Sequence, residues 1–390
     1  MKNRNILSIM TLFLSFSVAF AQEEVEETES SAVTVSGSVD AYFRTNLGAP
    51  NKMPGVIDGT APGTSFANRP GFSLGMVNLI LAKEGKKAGF VADLVFGPRG
   101  EDAVFGSPMN AAVNGSFGGS AQIVNQLYAY WNVSDNVTLT MGNFNTFLGY
   151  EVISPTANFN YSTSYMFSYG PFSHTGLKAD FALSDDMSAM VSIMNPTDMT
   201  EFNFVSTYTL GAQFGIKGVY FNFLYGDQDG KLDEDLDTDG DTSAGSTFQG
   251  DITAGFDLSD KLFLGLNATY NSTGTGEIVN GTTIEDVDGD AAGFYGLAGY
   301  FQVATSDALS LGARIEYFQV YNGGLGVIGL DADGDGSVID VTLSAQYKVG
   351  DLTIIPEFRL DSSSEDSFTD SDYLPTKSLS SFVLAAVYSF

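Results

Sequence analysis

The sequence predicts an all-β fold: a transmembrane, antiparallel up-and-down β-barrel of about 16 strands, with short periplasmic turns and long extracellular loops. Three observations predict it. The last residues, Phe382–Phe390, place Phe382, Leu384, Ala386, Tyr388 and Phe390 at every second position, opposite the smaller set Val383, Ala385, Val387 and Ser389. Strand side chains repeat with a period of two, so this strand has one apolar, aromatic face. That alternation recurs along the chain in segments of roughly 10 residues, the length of a tilted membrane strand. The connections between the segments alternate between tight and long.

Taken in order, Met1–Ala21 reads as a secretory signal peptide. It has a basic start at Lys2 and Arg4, an apolar run from Ile6 to Phe20, and the small-residue site Ala19-Phe20-Ala21. Residues 22–32, rich in Glu and poor in apolar side chains, read as a short disordered periplasmic tail. The barrel is expected over 33–390. Its first strand runs from Val33 to Arg44; clear later examples are Phe248–Asp257, Leu262–Asn271 and Ile339–Val349. Tight turns are expected at Glu84–Lys87, Ser134–Asn136, Ser184–Asp186, Lys217–Gly218, Ser259–Lys261, Ala304–Asp307 and Gly350–Asp351. Long loops are expected at Asn46–Pro70, Gly97–Ser120, Thr146–Ser173, Asn195–Ser206, Asp227–Gly245, Ser272–Ala291, Val320–Gly336 and Ser362–Leu379. A β-propeller is the structural rival. It needs a motif repeated in each blade, and none repeats here.

Composition narrows the function. The 390 residues include no Cys, which excludes disulfides and thiolate chemistry. Without Lys2 and Arg4, 15 basic side chains face 47 acidic ones. Nucleic acid and anionic membrane surfaces are poor partners for such a chain. An enzyme reading lacks a constellation. The single His174 has no strained serine motif to serve, so it is expected to anchor a loop by hydrogen bonding.

Strand parity assigns a lumen face. It carries the acids Asp40, Asp93, Asp180, Asp251, Asp257, Glu316, Asp340 and Glu357, and the bases Arg44, Lys178, Arg314, Lys348 and Arg359. Two readings stand side by side. In one these groups line a charged, water-filled constriction that selects solutes. In the other they are neutralising struts, paired as i,i+2 neighbours at Lys178/Asp180, Arg314/Glu316 and Glu357/Arg359. The aromatic loop Thr146–Ser173 is too apolar to stay extended in water. It is expected to fold into the barrel mouth and narrow the pore; packing across the loop surface or against another subunit is the alternative. Asp331, Asp333 and Asp335, with Gly336, match the opening of a calcium loop. Asp235, Asp237 and Asp239 repeat the spacing, as do Asp286, Asp288 and Asp290. The bidentate Glu at the twelfth position is missing, so solvated acidic loops that gather ions diffusely are the competing reading.

Three stretches carry a family resemblance: Gly142–Ile153 (GNFNTFLGYEVI), Asn158–Ser164 (NFNYSTS) and Pro171–Gly176 (PFSHTG). Together with the strand rhythm around them, they resemble the OmpL-like family of bacterial β-barrel porins. The resemblance implies a Gram-negative outer membrane, with lipid and lipopolysaccharide around the barrel. It also implies a final strand ending in Phe390 that the barrel-assembly machinery reads, and possible homo-oligomers. The function expected is passive diffusion of small hydrophilic solutes or ions, weakly favouring cations. A non-conducting barrel, structural or adhesive through its acidic loops, is the alternative.

Overall fold

The protein is described by a computed structural model over residues 32–53, 57–104, 123–232, 244–279, 282–284 and 290–390. The leader, nearly all of the acidic tail, and Asp235, Asp237, Asp239, Asp286 and Asp288 lie outside the described residues.

Sixteen strands close into one antiparallel barrel. In chain order they begin with β1 (Thr34–Asn46), β2 (Gly71–Lys83), β3 (Ala88–Phe96), β4 (Val124–Ser134), β5 (Val137–Asn145) and β6 (Ser173–Ser184). Next come β7 (Met187–Met194), β8 (Thr209–Ile216), β9 (Val219–Gly226), β10 (Thr247–Ser259) and β11 (Leu262–Thr273). The last are β14 (Ala292–Ala304), β15 (Leu309–Tyr321), β16 (Gly336–Val349), β17 (Leu352–Ser363) and β20 (Ser378–Ser389). Among the described residues the remaining β-structure is two small hairpins in the long loops: β12 (Ile278–Val279) with β13 (Thr282–Thr283), and β18 (Phe368–Thr369) with β19 (Pro375–Thr376). Neither hairpin was foreseen, because two-residue strands carry no readable period.

Every strand pairs with its sequence neighbour, and β20 pairs with β1 to shut the ring. The seam is finished by a reciprocal pair, Phe390 N–H to Gly37 O and Gly37 N–H to Phe390 O, both 3.0 Å. A closed ring leaves no unpaired edge, the condition a sheet must meet inside hydrocarbon. Among the described residues no helix is long and apolar enough to cross a membrane. All seven expected tight turns connect consecutive strands at one end of the barrel. The shortest shows why it turns: Lys217 (φ 50°) and Gly218 (φ 81°) both adopt the left-handed backbone of a two-residue hairpin loop.

The predicted faces are observed. Phe72, Leu74, Met141, Leu297 and Leu384 point outwards and are exposed, forming a band that suits lipid. Aromatic rings cluster on this face near the loop end, where Tyr270, Tyr295, Tyr317 and Tyr321 lie with neighbouring ring centroids 6.2–6.4 Å apart. The inward face is polar, and it is largely covered, because one loop fills that side of the barrel.

Candidate functional site: an inward loop clamped to the barrel wall

The covering element is the loop between β5 and β6. At its neck Thr146 N–H donates to Phe172 O at 3.0 Å. The fully buried His174 joins Thr146 there, Nε2 to Oγ1 at 2.9 Å. His174 thus has the loop-anchoring place expected for it. Beyond the neck, Asn158 clasps Val152 on both sides, accepting from its N–H (2.9 Å) and donating to its carbonyl (2.6 Å). A short helix, Tyr165–Tyr169, follows, started by Ser164, whose hydroxyl accepts from Phe167 N–H at 3.1 Å.

The loop runs inside the barrel against β1, β10, β11 and β14–β17. Its large side chains seat in places where the wall has glycine. A Cβ at Gly265 would collide with Tyr150, one at Gly296 with Met166, and one at Gly312 with Phe159. Glycine is needed at these positions because a second piece of the chain approaches the strand closely. Tyr150 also stacks on Tyr300 at 4.2 Å, and Tyr165 on Phe318 at 5.5 Å.

Charged wall residues grip the loop backbone. Glu316 accepts Tyr165 N–H and Met166 N–H, both at 2.8 Å. Glu357 accepts Tyr161 N–H (2.8 Å) and Ser162 N–H (3.1 Å). Arg314 donates to Ser162 O at 2.8 Å, and Arg359 to Thr163 O at 2.7 Å. Asp40 accepts the Tyr161 hydroxyl at 2.5 Å and Met76 N–H at 3.0 Å. It reaches Met76 across a bulge in β2 where its carboxylate occupies the space a side chain on Gly75 would need. Asp251 accepts Gly149 N–H at 2.9 Å. Unpaired backbone amides in such a place would be costly, so the wall carboxylates do for this loop what a neighbouring strand does for a sheet.

The charges also satisfy one another. Arg314 bonds Asp340 and Glu151, each at 2.7 Å. Arg359 bonds Asp361 at 2.7 Å and stands 3.3 Å from Asp340. Arg44 donates to Asn46 at 2.8 Å. Two of these pairs, Arg314–Asp340 and Arg359–Asp340, cross between strands, Arg314–Glu151 joins wall to loop, and Arg359–Asp361 is an i,i+2 pair along one strand. Arg314 and Glu316 do not pair with each other, nor do Glu357 and Arg359; Lys178 and Asp180 do, at 3.2 Å. Asp340 lies diagonally across from both arginines, whose direct neighbour on β16 is Thr342.

All thirteen parity-assigned charges stand at inward positions, but their settings differ. Asp40, Arg44, Asp93, Asp251, Arg314, Glu316, Asp340, Glu357 and Arg359 are buried. Asp93 is held by Asn125 (2.7 Å), Gln126 (3.0 Å) and Asn78. Lys178 and Asp180 are half-buried on the wall that the loop does not cover, while Asp257 and Lys348 are exposed near the tight-turn end. Sequence reasoning missed three members of the arrangement. Asp361 was legible, since it shares the parity of Arg359 two residues away. Glu151 lies in an irregular segment and Arg99 in a short helix, Pro98–Ala103, where no strand period assigns a face.

Of the outer acidic segments, the one at Asp331, Asp333 and Asp335 lies among the described residues. Asp331 Oδ1 accepts Asp333 N–H (2.9 Å) and Asp335 N–H (3.0 Å), so this carboxylate makes a turn. Among the described residues, the acids whose oxygens gather within 4.8 Å are Asp227, Asp229 and Glu277, with Lys231 3.2 Å from Asp229.

With this geometry in place, comparison is decisive. The family described as "Putative beta-barrel porin-2, OmpL-like" matches residues 32–390. The chain belongs to this family. No curated protein matches it. Among solved structures, the outer membrane channel DcaP of Acinetobacter baumannii is similar at TM-score 0.55 and 14% identity, covering 92% of this chain and 97% of that one. Pseudomonas putida OprB is similar at TM-score 0.57 and 12% identity, covering 92% and 94%. An anion-selective porin from Comamonas acidovorans is similar at 0.52 and 9%, covering 92% and 99%. At such identities these likenesses establish the fold. The family places the OmpL-like chain among outer-membrane porins.

Proposed function

We propose that this porin is a diffusion channel for small hydrophilic solutes and ions, with no catalytic activity, and that the inward loop sets its width. One observation carries the reading. The loop is clamped to β1, β10 and β15–β17, whereas inward side chains on β4 and β6, such as Tyr128, Tyr130, Lys178 and Asp180, keep part of their surface exposed. A polar space bounded by a rigid loop and a polar wall suits passive, size-filtered passage. The buried charges act as struts for the loop in this reading, not as groups that solutes touch. A weak preference for cations comes from the acidic outer loops, which also collect calcium diffusely or at Asp331, Asp333 and Asp335. Contacts with lipopolysaccharide, the assembly machinery and further copies of the chain belong to the same reading.

Single-channel recording of the purified protein in a planar bilayer tests it. Discrete conductance steps are expected, growing when the loop is released by Glu316→Gln with Glu357→Gln. Absence of steps in both proteins would sink the channel and leave a structural barrel.

A further inference from the structure

The barrel wall is not equally tall all the way round. β7, β8 and β9 have 8 residues each, whereas β10, β11 and β14–β17 have 12–14. A strand needs about 9–11 residues to cross a bilayer. Eight residues, at a rise of about 3.3 Å and a tilt of about 40°, climb roughly 20 Å, less than the roughly 25 Å apolar band of such barrels. Above this low wall the chain stays apolar but leaves the sheet. Residues 201–208, which lead into β8, are irregular, and Phe202, Phe204 and Tyr208 are 38%, 48% and 58% exposed. Phe202 and Phe204 pack edge to face, 6.3 Å between ring centroids. The segment turns on Asn203, whose side-chain oxygen accepts Val205 N–H at 3.1 Å and Ser206 N–H at 2.8 Å.

Hydrocarbon accepts the rings but not backbone outside a ladder. Water and lipid headgroups accept the backbone but not three exposed rings. A bilayer that thins to match the low wall leaves the rings above it. A protein face meets both needs, with an apolar core and a polar rim. Size and charge point to a copy of the same chain. Between residues 191 and 225 ten large apolar side chains are exposed, by 36–58%. Together they present on the order of 900 Å², against about 800 Å² per partner in a stable interface. The outward positions of β7–β9 carry no charge in a chain whose net charge is −30. The rim at their foot carries both signs, Asp185 and Asp186 before β7 and Lys217 between β8 and β9, all exposed. Such a face is complementary to itself, the condition for pairing like chains.

We propose that the low wall β7–β9, with Phe202, Phe204 and Tyr208 above it, docks against a second copy of this chain. The proposal rests on the outer-membrane reading above and deepens it, for it names the face that further copies use. Docking itself does not depend on conduction.

Full-length protein extracted from membranes in mild detergent is sized by analytical ultracentrifugation. Wild type is expected to hold two or more chains per particle. Phe204→Glu with Tyr208→Glu is expected to hold one, while heat-dependent gel migration is unchanged. Tyr373→Glu with Leu374→Glu, which charges two comparably exposed side chains in another loop, is expected to match wild type. A photoreactive benzoylphenylalanine in place of Phe204 keeps an aromatic ring there and decides even if the charged variant fails to fold. Irradiated cells are expected to yield a covalent pair of two copies of this chain, identified by mass spectrometry. Monomeric wild type, oligomers that persist in folded Phe204→Glu with Tyr208→Glu, equal dissociation by the Tyr373 and Leu374 changes, or cross-links to lipid or another protein alone overturn the proposal. Oligomers without conductance steps would retain this face and remove the channel; steps from a monomeric wild type would do the reverse.

Discussion

Glu316 shows how much one side chain carries in this barrel. Both its oxygens are spent on consecutive loop amides, Tyr165 N–H and Met166 N–H. Glu316→Gln keeps the shape but turns one acceptor into a donor, so one amide faces an N–H. The expected cost is about 1–3 kcal/mol, the scale of an unsatisfied buried polar group. Arg314→Ala is expected to be worse, about 3–5 kcal/mol, because Asp340 and Glu151 remain buried without their cation. The temperature at which the gel band loses its compact mobility ranks the two; equal temperatures for wild type and Arg314→Ala would refute the strut role. A pH effect belongs to this scale too. Asp198, in the loop after β7, accepts Phe172 N–H and Ser173 N–H, yet burial pushes its carboxyl up from the usual 3.8 to about 6. A carboxyl raised on folding favours the fold below its unfolded value and loses that contribution as pH rises through its folded one, here between about 3.8 and 6. Asp198→Asn is therefore expected to raise the thermal midpoint at pH 8 and to leave it unchanged at pH 3. A lowered midpoint at pH 8 would mean that the two amide bonds outweigh burial.

The loop and the wall beneath it form the functional element, and the glycines Gly265, Gly296 and Gly312 are its sockets. Gly312→Leu fills the seat of Phe159. Overpacking of this kind costs about 1–3 kcal/mol. Relief comes by lifting the loop, so channel conductance is expected to rise with the strand count and circular dichroism unchanged. A fall in conductance would show instead that the new side chain itself fills the passage. The same element marks the boundary of what the sequence reveals. Strands were legible because lipid on one face and polar groups on the other impose a period of two, which β1, β10, β11, β16 and β20 obey closely. All seven tight turns were legible from their Gly, Asn, Asp and Ser. The loop's inward course could be argued from its aromatic content, since Tyr161 and Phe167 would not stay in water. Its partners could not. Glu151 reaches Arg314 across 163 positions, and no local rule relates residues so far apart. Parity put Arg314 and Glu357 on the inner face correctly, but it is blind to whether that face meets water or another part of the chain.

The whole molecule adds a field to this geometry. Its formal charge is −30; on the wall Arg314 and Arg359 meet Asp340 and Asp361, while Asp40, Asp93, Asp251, Glu316 and Glu357 are buried and held by hydrogen bonds. Of the thirteen inward charges, those retaining exposure are Lys178, Asp180, Asp257 and Lys348, two of each sign. Ion preference in the proposed channel must then arise outside the narrow zone, from exposed acids such as Asp58, Asp331, Asp333 and Asp372 around the mouth. Such a field favours cations and is weakened by salt, because the screening length falls from about 10 Å at 0.1 M to about 3 Å at 1 M. Reversal potentials in a KCl gradient are expected to show a weak cation preference near 0.1 M that fades by 1 M. Neutralising mouth acids, as in Asp331→Asn with Asp333→Asn, is expected to reduce the low-salt preference with little change in conductance at 1 M. Selectivity that survives 1 M salt would place its origin at Lys178 and Asp180 on the uncovered wall, where screening ions have less room. Anion preference at low salt would mean that the inward cations retaining exposure, Lys178 and Lys348, govern passage and that the acidic surface is a bystander.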